Sequence, residues 1–160
     1  MIAIVAVSEN WGIGKDNALL FHIHADMKRF RALTSGHTVI MGRKTLQSLP
    51  GGRPLPKRRN IVLSSDPAYA PEGVEVARSP AEAAAMAEEG AFCIGGESVY
   101  RAMLPYCDRV YLTCVYADAP ADAFFPDLGQ MEEWAVEQQS ELMEEDGVFF
   151  RYIDYVRVKE

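Results

Sequence analysis

The chain has 160 residues, 49% of them apolar and 24% charged, with a net charge of −7. That length and balance fit a single domain with one sizeable core. No apolar run approaches the length of a membrane span, and an acidic surface is a poor partner for nucleic acid.

The opening "MIAIVAV" lacks a basic start and meets Ser8-Glu9-Asn10 after seven residues. It is too short for a signal sequence or a span and reads as a buried strand over 2–7. Residues 8–21, "SENWGIGKDNALLF", carry Gly12 and Gly14. A loop of this length in a small domain is often a functional lid; the plain alternative is a passive connection with Trp11 exposed. Next comes "FHIHAD" (21–26), in which His22, His24 and Asp26 look like the start of a zinc site. The third histidine of the chain, His37, stands alone before a strand, so no second cluster completes a hydrolase-type centre. A metal-binding hydrolase built on these three residues stays as an alternative.

A helix is expected over 25–34. With Asp26 set at zero and about 100° per residue, Phe30 falls near about 40°, Leu33 near about 340° and Met27 near about 100°. Lys28, Arg29 and Arg31 point elsewhere on this wheel, so Asp26 lies within the apolar arc. It is either a first-turn aspartate steadying the helix N-terminus or a carboxylate in an apolar cleft. In the second case its two oxygens can accept paired hydrogen bonds from an amidine-like group. From Met27 to Ser65 there is no Asp or Glu, while nine of the sixteen Lys and Arg residues lie there. That window suits a small polyanion better than an extended nucleic acid.

Further on, "TVIMG" (38–42) reads as a strand, followed by a short helix after Gly42. "MGRKT" (41–45) thus offers helix N–H groups beside Arg43 and Lys44, a pairing that suits a phosphate. "NIVLSS" (60–65) and "VEVA" (74–77) read as strands. In "SPAEAAAMAEEG", Ser79 is the expected N-cap, Pro80 the first helical residue, Glu82 the capping-box partner and Gly90 the stop. "AFCIGG" (91–96) leads through Gly95-Gly96 into a fourth helix, a second corner where backbone can approach an anion closely. Neither G-x-G-x-x-G nor G-x-x-x-x-G-K-[ST] is present, so the pair reads as two phosphate grips or as two tight turns. "RVYLTCVYA" (109–117) is a strand. After Glu132 two long strands are expected, turning near Asp146-Gly147. Cys93, Cys107 and Cys114 are odd in number, match no zinc or redox spacing and sit in apolar segments, so reduced thiols are expected.

Strand–helix alternation implies a single-domain α/β fold over 1–160. Its central, mainly parallel sheet would have about eight strands, an antiparallel C-terminal edge and about four flanking helices.

Taken together, "GIG…N" (12–17), "ADMKRF" (25–30), "VIMGRKT" (39–45), "GGRPLPKRRNIVLS" (51–64), "IGGESVY" (94–100), "YLT" (111–113) and "DAFFPD" (122–127) resemble the dihydrofolate reductase family in order and spacing. The resemblance spans nearly the whole chain. It implies NADPH-dependent reduction of 7,8-dihydrofolate, with hydride passing from nicotinamide C4 to pterin C6 and a proton to N5. It places Asp26 on the pterin 2-amino group and N3, with Thr113 hydrogen-bonded to that carboxylate and Leu19 and Phe21 beside the reacting ring. Ile4, Val5, Met27, Phe30, Leu49 and Ile94 would line the substrate cleft, and Arg58 would pair with the glutamate α-carboxylate. For the cofactor it implies Ala6, Ile13 and Gly14 at the nicotinamide. Gly42, Arg43, Lys44, Thr45, Leu63, Ser64 and Ser65 would lie near the 2′-phosphate and adjacent phosphates. Gly95, Gly96, Glu97, Ser98, Val99 and Tyr100 would form the pyrophosphate corner, with a cis bond between Gly95 and Gly96. No resident metal is implied. Antifolate inhibitors are expected ligands, and the protein is expected to be cytoplasmic and monomeric.

The chain departs from the family pattern at Leu20 and Phe21, where proline and tryptophan are usual, and at His24, usually proline. A riboflavin-pathway reductase of the same fold is the neighbouring alternative; Asp26, Phe30 and Arg58 suit a pterin with a glutamate tail better.

Overall fold

Thr38, Val39, Ile40 and Met41 are all fully buried, so strand β4 (Thr38–Gly42) has no solvent face. Such a strand needs cover on both sides, which in an α/β chain is supplied by crossover helices. The computed structural model, which describes residues 1–158, shows this arrangement. The other strands are β1 (Ile2–Val7), β2 (Gly12–Lys15), β3 (Ala18–Leu19), β5 (Arg59–Leu63), β6 (Glu75–Ala77), β7 (Phe92–Gly95), β8 (Arg109–Val115), β9 (Ala123–Phe124), β10 (Trp134–Gln139), β11 (Met143–Glu145) and β12 (Val148–Arg157). The helices are α1 (His24–Thr34), α2 (Arg43–Ser48), α3 (Pro80–Met86) and α4 (Glu97–Met103).

The main sheet runs β10-β12-β8-β1-β7-β4-β5-β6, with β11 also paired to β12. Its pairs from β8 through β6 are parallel, and β12 lies antiparallel to both β8 and β10. The expected α/β fold is therefore present, with eight strands along the sheet and β11 as a ninth off that path. The extra strand arises because the last hairpin's first arm breaks between Gln139 and Met143 into β10 and β11. The turn at Asp146-Gly147 falls where expected, both residues having positive φ.

Two expectations need correction. Residues 8–21 are not a plain loop: β2 pairs with β3 and with β9 in a small second sheet. In α3 the Ser79 hydroxyl accepts from Glu82 N–H at 3.1 Å as expected, but the Glu82 carboxylate takes the N–H of Arg78 rather than of Ser79, and the helix ends at Met86, before Gly90. The three cysteines are free, and burial raises all three thiols from their ordinary range.

Parallel strands deliver their carboxyl ends to one edge of the sheet, and that edge is where ligands bind in open α/β folds. Here it gathers Ala6 from β1, Gly42 from β4, Leu63 from β5, Gly95 from β7 and, across from Ala6 in register, Thr113 from β8.

Candidate functional site

Asp26 stands in the first turn of α1, half-buried against the sheet. The Thr113 hydroxyl on β8 donates to its Oδ1 at 2.6 Å. Burial pushes the Asp26 carboxyl above the ordinary aspartate range, while Thr113 and Arg29 act in the opposite direction. The sequence reading set Arg29 apart from Asp26, yet three residues on is only about 60° round the helix; in the folded chain it is close enough to favour the carboxylate. Its guanidinium lies 4.0 Å from the centre of the Tyr152 ring and 3.8 Å from Asp154, which hold it over β12. Tyr152 and Asp154 were not anticipated, because nothing near them in sequence marks them.

Four of the expected substrate-lining residues, Ile4, Phe30, Leu49 and Ile94, belong to one apolar cluster. Val5 is buried in the neighbouring cluster, and Met27 is 52% exposed and belongs to neither cluster. Arg58 is fixed on one side: Nε donates to the Pro56 carbonyl at 2.9 Å and Nη1 to the Thr34 hydroxyl at 3.1 Å. Partial burial, and then Arg31 nearby, lower this guanidinium from its ordinary value, so an anion arriving there is favoured by both.

Beside Asp26's cleft lies a cavity of about 150 Å³, lined by Val5, Ala6, Ile13, Gly14, Ile94 and Tyr100 among others. Its rim includes Leu19, which is 63% exposed, whereas Phe21 packs half-buried with Ile23 and Phe150. The rim is fastened by Asp122, whose N–H donates to Gly14 O at 2.9 Å and whose Oδ2 accepts from Asp16 N–H at 3.0 Å. Asn17 also donates to the Lys44 carbonyl at 3.3 Å, joining this segment to α2. Asp122 went unnoticed in the sequence, although it opens a quoted motif.

The two glycine corners are both built as strand, glycine, short helix, and neither α2 nor α4 has a side-chain cap. Their first-turn N–H groups are thus left for another acceptor. At the first corner Arg43 stacks on Tyr69 at 4.7 Å and pairs with Asp66 at 3.8 Å, while Lys44 is exposed. Ser64 is half-buried and Ser65 exposed at the end of β5. Leu63 is part of the apolar core. At the second corner the Gly95–Gly96 peptide is cis, and Gly95 has φ +116 with the Tyr100 ring 3.0 Å from where a Cβ would stand. Tyr100 is buried and donates to the Ile4 carbonyl at 2.7 Å; Val99 is buried against Gly42. Neither side chain is free for an anion, and the Tyr100 N–H is itself bonded to the Gly96 carbonyl at 2.9 Å. Thr45 lies beside Gly96, and Ser98 is exposed. The Glu97 carboxylate is turned to the small sheet, accepting from Phe124 N–H at 2.6 Å, which keeps its charge off an incoming anion.

His22 and His24 are exposed, and among the described residues no three His, Cys, Asp or Glu side chains are grouped as ligands for a metal ion. The hydrolase alternative on His22, His24 and Asp26 is therefore not assembled. Among the described residues no helix is long and apolar enough to cross a membrane.

A family model described as dihydrofolate reductase matches residues 1–157. The dihydrofolate reductase type 3 of Salmonella typhimurium is 47% identical over 126 residues, 78% of this chain and 76% of that relative. The dihydrofolate reductase of Bacillus subtilis is 40% identical over 129 residues, 79% of this chain and 76% of that one. Among solved structures, dihydrofolate reductase from Enterococcus faecalis complexed with NADP(H) and RAB-propyl superimposes with a TM-score of 0.89. It is 34% identical, and the match covers 99% of this chain and 96% of the other.

Proposed function

The chain belongs to the dihydrofolate reductase family and is an NADPH-dependent oxidoreductase acting on 7,8-dihydrofolate; from that premise we propose how its own residues carry the reaction. The observation that bears most weight is Asp26, a half-buried carboxylate with one oxygen engaged by Thr113, standing beside an apolar cluster at the carboxyl edge of the sheet.

A carboxylate has about four lone-pair sites and Thr113 takes one. The others accept the pterin 2-amino group and N3–H as a parallel pair, fixing the ring in the cleft. Ile4, Phe30, Leu49 and Ile94 exclude water from its faces. Arg58, with two donors tied to Pro56 and Thr34, turns its free edge to the substrate's glutamate carboxylate.

The cavity and corners suit a dinucleotide: small residues and backbone line the nicotinamide pocket, and two uncapped helix starts face the phosphates. NADPH, when bound, supplies a hydride from nicotinamide C4 to pterin C6. Ala6, Ile13 and Gly14 hold the nicotinamide edge by backbone, Arg43 and Lys44 with Ser64 and Ser65 bind the 2′-phosphate, and Gly95 to Ser98 cradle the pyrophosphate. Asp26 anchors and polarises the ring; water admitted under the Gly12–Leu19 segment protonates N5. Antifolate inhibitors with the same amidine-like edge take the Asp26 site. We read the chain as one monomeric, cytoplasmic domain.

The deciding measurement is oxidation of NADPH by dihydrofolate, run beside NADH. Rapid turnover with NADPH and weak turnover with NADH is expected; a protein that oxidises neither would overturn the reading.

A further inference from the structure

We infer that Glu145 is a positioning residue for Asp26: it caps the start of α1 from the far hairpin, so the helix's own first-turn carboxylate stays turned to the substrate. The N-cap of α1 is Ile23, which has no side chain able to accept a hydrogen bond. The N–H groups of the first turn therefore lack partners within the helix. In an ordinary helix an acidic residue at Asp26's position would help to satisfy them. Asp26 is instead committed to Thr113, 87 residues away in sequence.

Glu145, the last residue of β11, takes over that task. Its Oε2 accepts from His24 N–H at 2.5 Å and its Oε1 from Ala25 N–H at 2.9 Å. Those two backbone donors hold the Glu145 carboxyl below the ordinary glutamate range, so it stays charged at neutral pH. The first of the two donors is a backbone N–H that a proline at residue 24 would lack. Glu145 and the residue at 24 thus form one device, joining the C-terminal hairpin to the helix that carries the substrate's anchor.

Without Glu145, the carboxylate best placed to reach the orphaned N–H groups is Asp26 itself. Turning back would cost it the Thr113 bond and its aim at the pterin. The groups facing it are Arg29 on α1, Thr113 on β8, Tyr152 on β12 and Tyr100 on α4, with Asp154 held through Arg29 and His24 beside Glu145. None of them supplies another acceptor to the first turn.

The test uses the full chain with Glu145→Ala and Glu145→Gln, and Glu144→Gln as a control. Carbon-13 NMR titration of the Asp26 carboxyl without ligands is read beside kcat and KM for dihydrofolate. For Glu145→Ala, KM rises about fivefold, the scale of a lost helix cap, and kcat changes less than about twofold. The Asp26 titration moves down, because backbone donors stabilise its charged form and a neighbouring negative charge is gone. Thr113→Val, worth about fivefold in KM in the native chain, adds little in the Glu145→Ala background, since the bond it removes is already lost. Glu145→Gln, with one accepting oxygen, shows the same changes at smaller size and carries the test if the alanine variant does not fold. Glu144→Gln changes neither reading. A lower melting temperature with unmoved KM, unmoved Asp26 titration and additive Thr113→Val overturns the inference and leaves Glu145 a stabilising cap. The inference rests on Asp26 as the substrate carboxylate, yet the titration needs no substrate. Its failure is therefore distinct from that of the functional reading, which falls only if the native enzyme does not oxidise NADPH with dihydrofolate.

Discussion

The two ends of the cleft are built on different principles. On the proposed reading, recognition at the substrate end rests on single side chains held by other side chains: Asp26 by Thr113, Arg58 by Thr34. At the proposed nucleotide end it rests on backbone, two uncapped helix starts behind glycines, with Arg43 and Lys44 adding charge to one of them. A side-chain site has no understudy, since each group does one job at one distance. A backbone site shares its work among several N–H groups, so the loss of any one side chain is diluted.

Asp26→Asn should break the comparison most sharply. It loses one of two acceptors and the charge, and turnover of dihydrofolate at neutral pH should fall by roughly 100-fold or more; a variant keeping near-full rate would mean the anchor lies elsewhere. The same substitution carries a stability signature. Burial raises the Asp26 carboxyl in the folded protein, so its contribution to stability is present at low pH and lost as pH rises through the raised value. Without ligands, the asparagine variant should melt above the native protein near about pH 7, with the advantage fading toward about pH 4. Next, Arg58→Gln should raise KM for dihydrofolate by about 10- to 100-fold, the range for a lost charge-assisted pair, while KM for NADPH stays put. At the other end, Arg43→Ala should raise KM for NADPH only about tenfold and leave NADH unaffected, because Lys44 and the α2 backbone remain. The smallest effect is expected from Thr113→Val, about fivefold in KM for dihydrofolate, with the Asp26 carboxyl titrating still higher because a bond to its charged form is gone.

What the sequence disclosed followed the same division. The two glycine corners were legible because each is a local event: an apolar strand, a glycine and a helix start within about ten residues. Asp26 could be placed in an apolar arc by helical periodicity alone, but whether it faced a ligand or capped its own helix stayed open. The contacts that bear on it, Thr113 to Asp26 and Glu145 to the start of α1, come from far along the chain, and no local pattern carries them. Arg29 was misjudged because a position three residues on lies only about 60° round the helix, nearer to Asp26 than Met27 is; Tyr152 and Asp154 then hold it over β12. The small sheet of β2, β3 and β9 was missed for a related reason. Its strands are two to four residues long, too short for alternation to register, and pairing is what defines them.

Trp11 and Trp134, the two indoles of the chain, occupy opposite circumstances. Trp11 is half-buried at the root of the small sheet, its ring 6.5 Å from Phe125 and nearly parallel to it. Trp134 is buried beneath the Arg157 guanidinium, 4.6 Å away at the distant sheet edge. The molecule therefore contains an intrinsic optical sensor and its internal standard: any movement of the small sheet would register in the emission of Trp11, against the background of Trp134 at the distant edge.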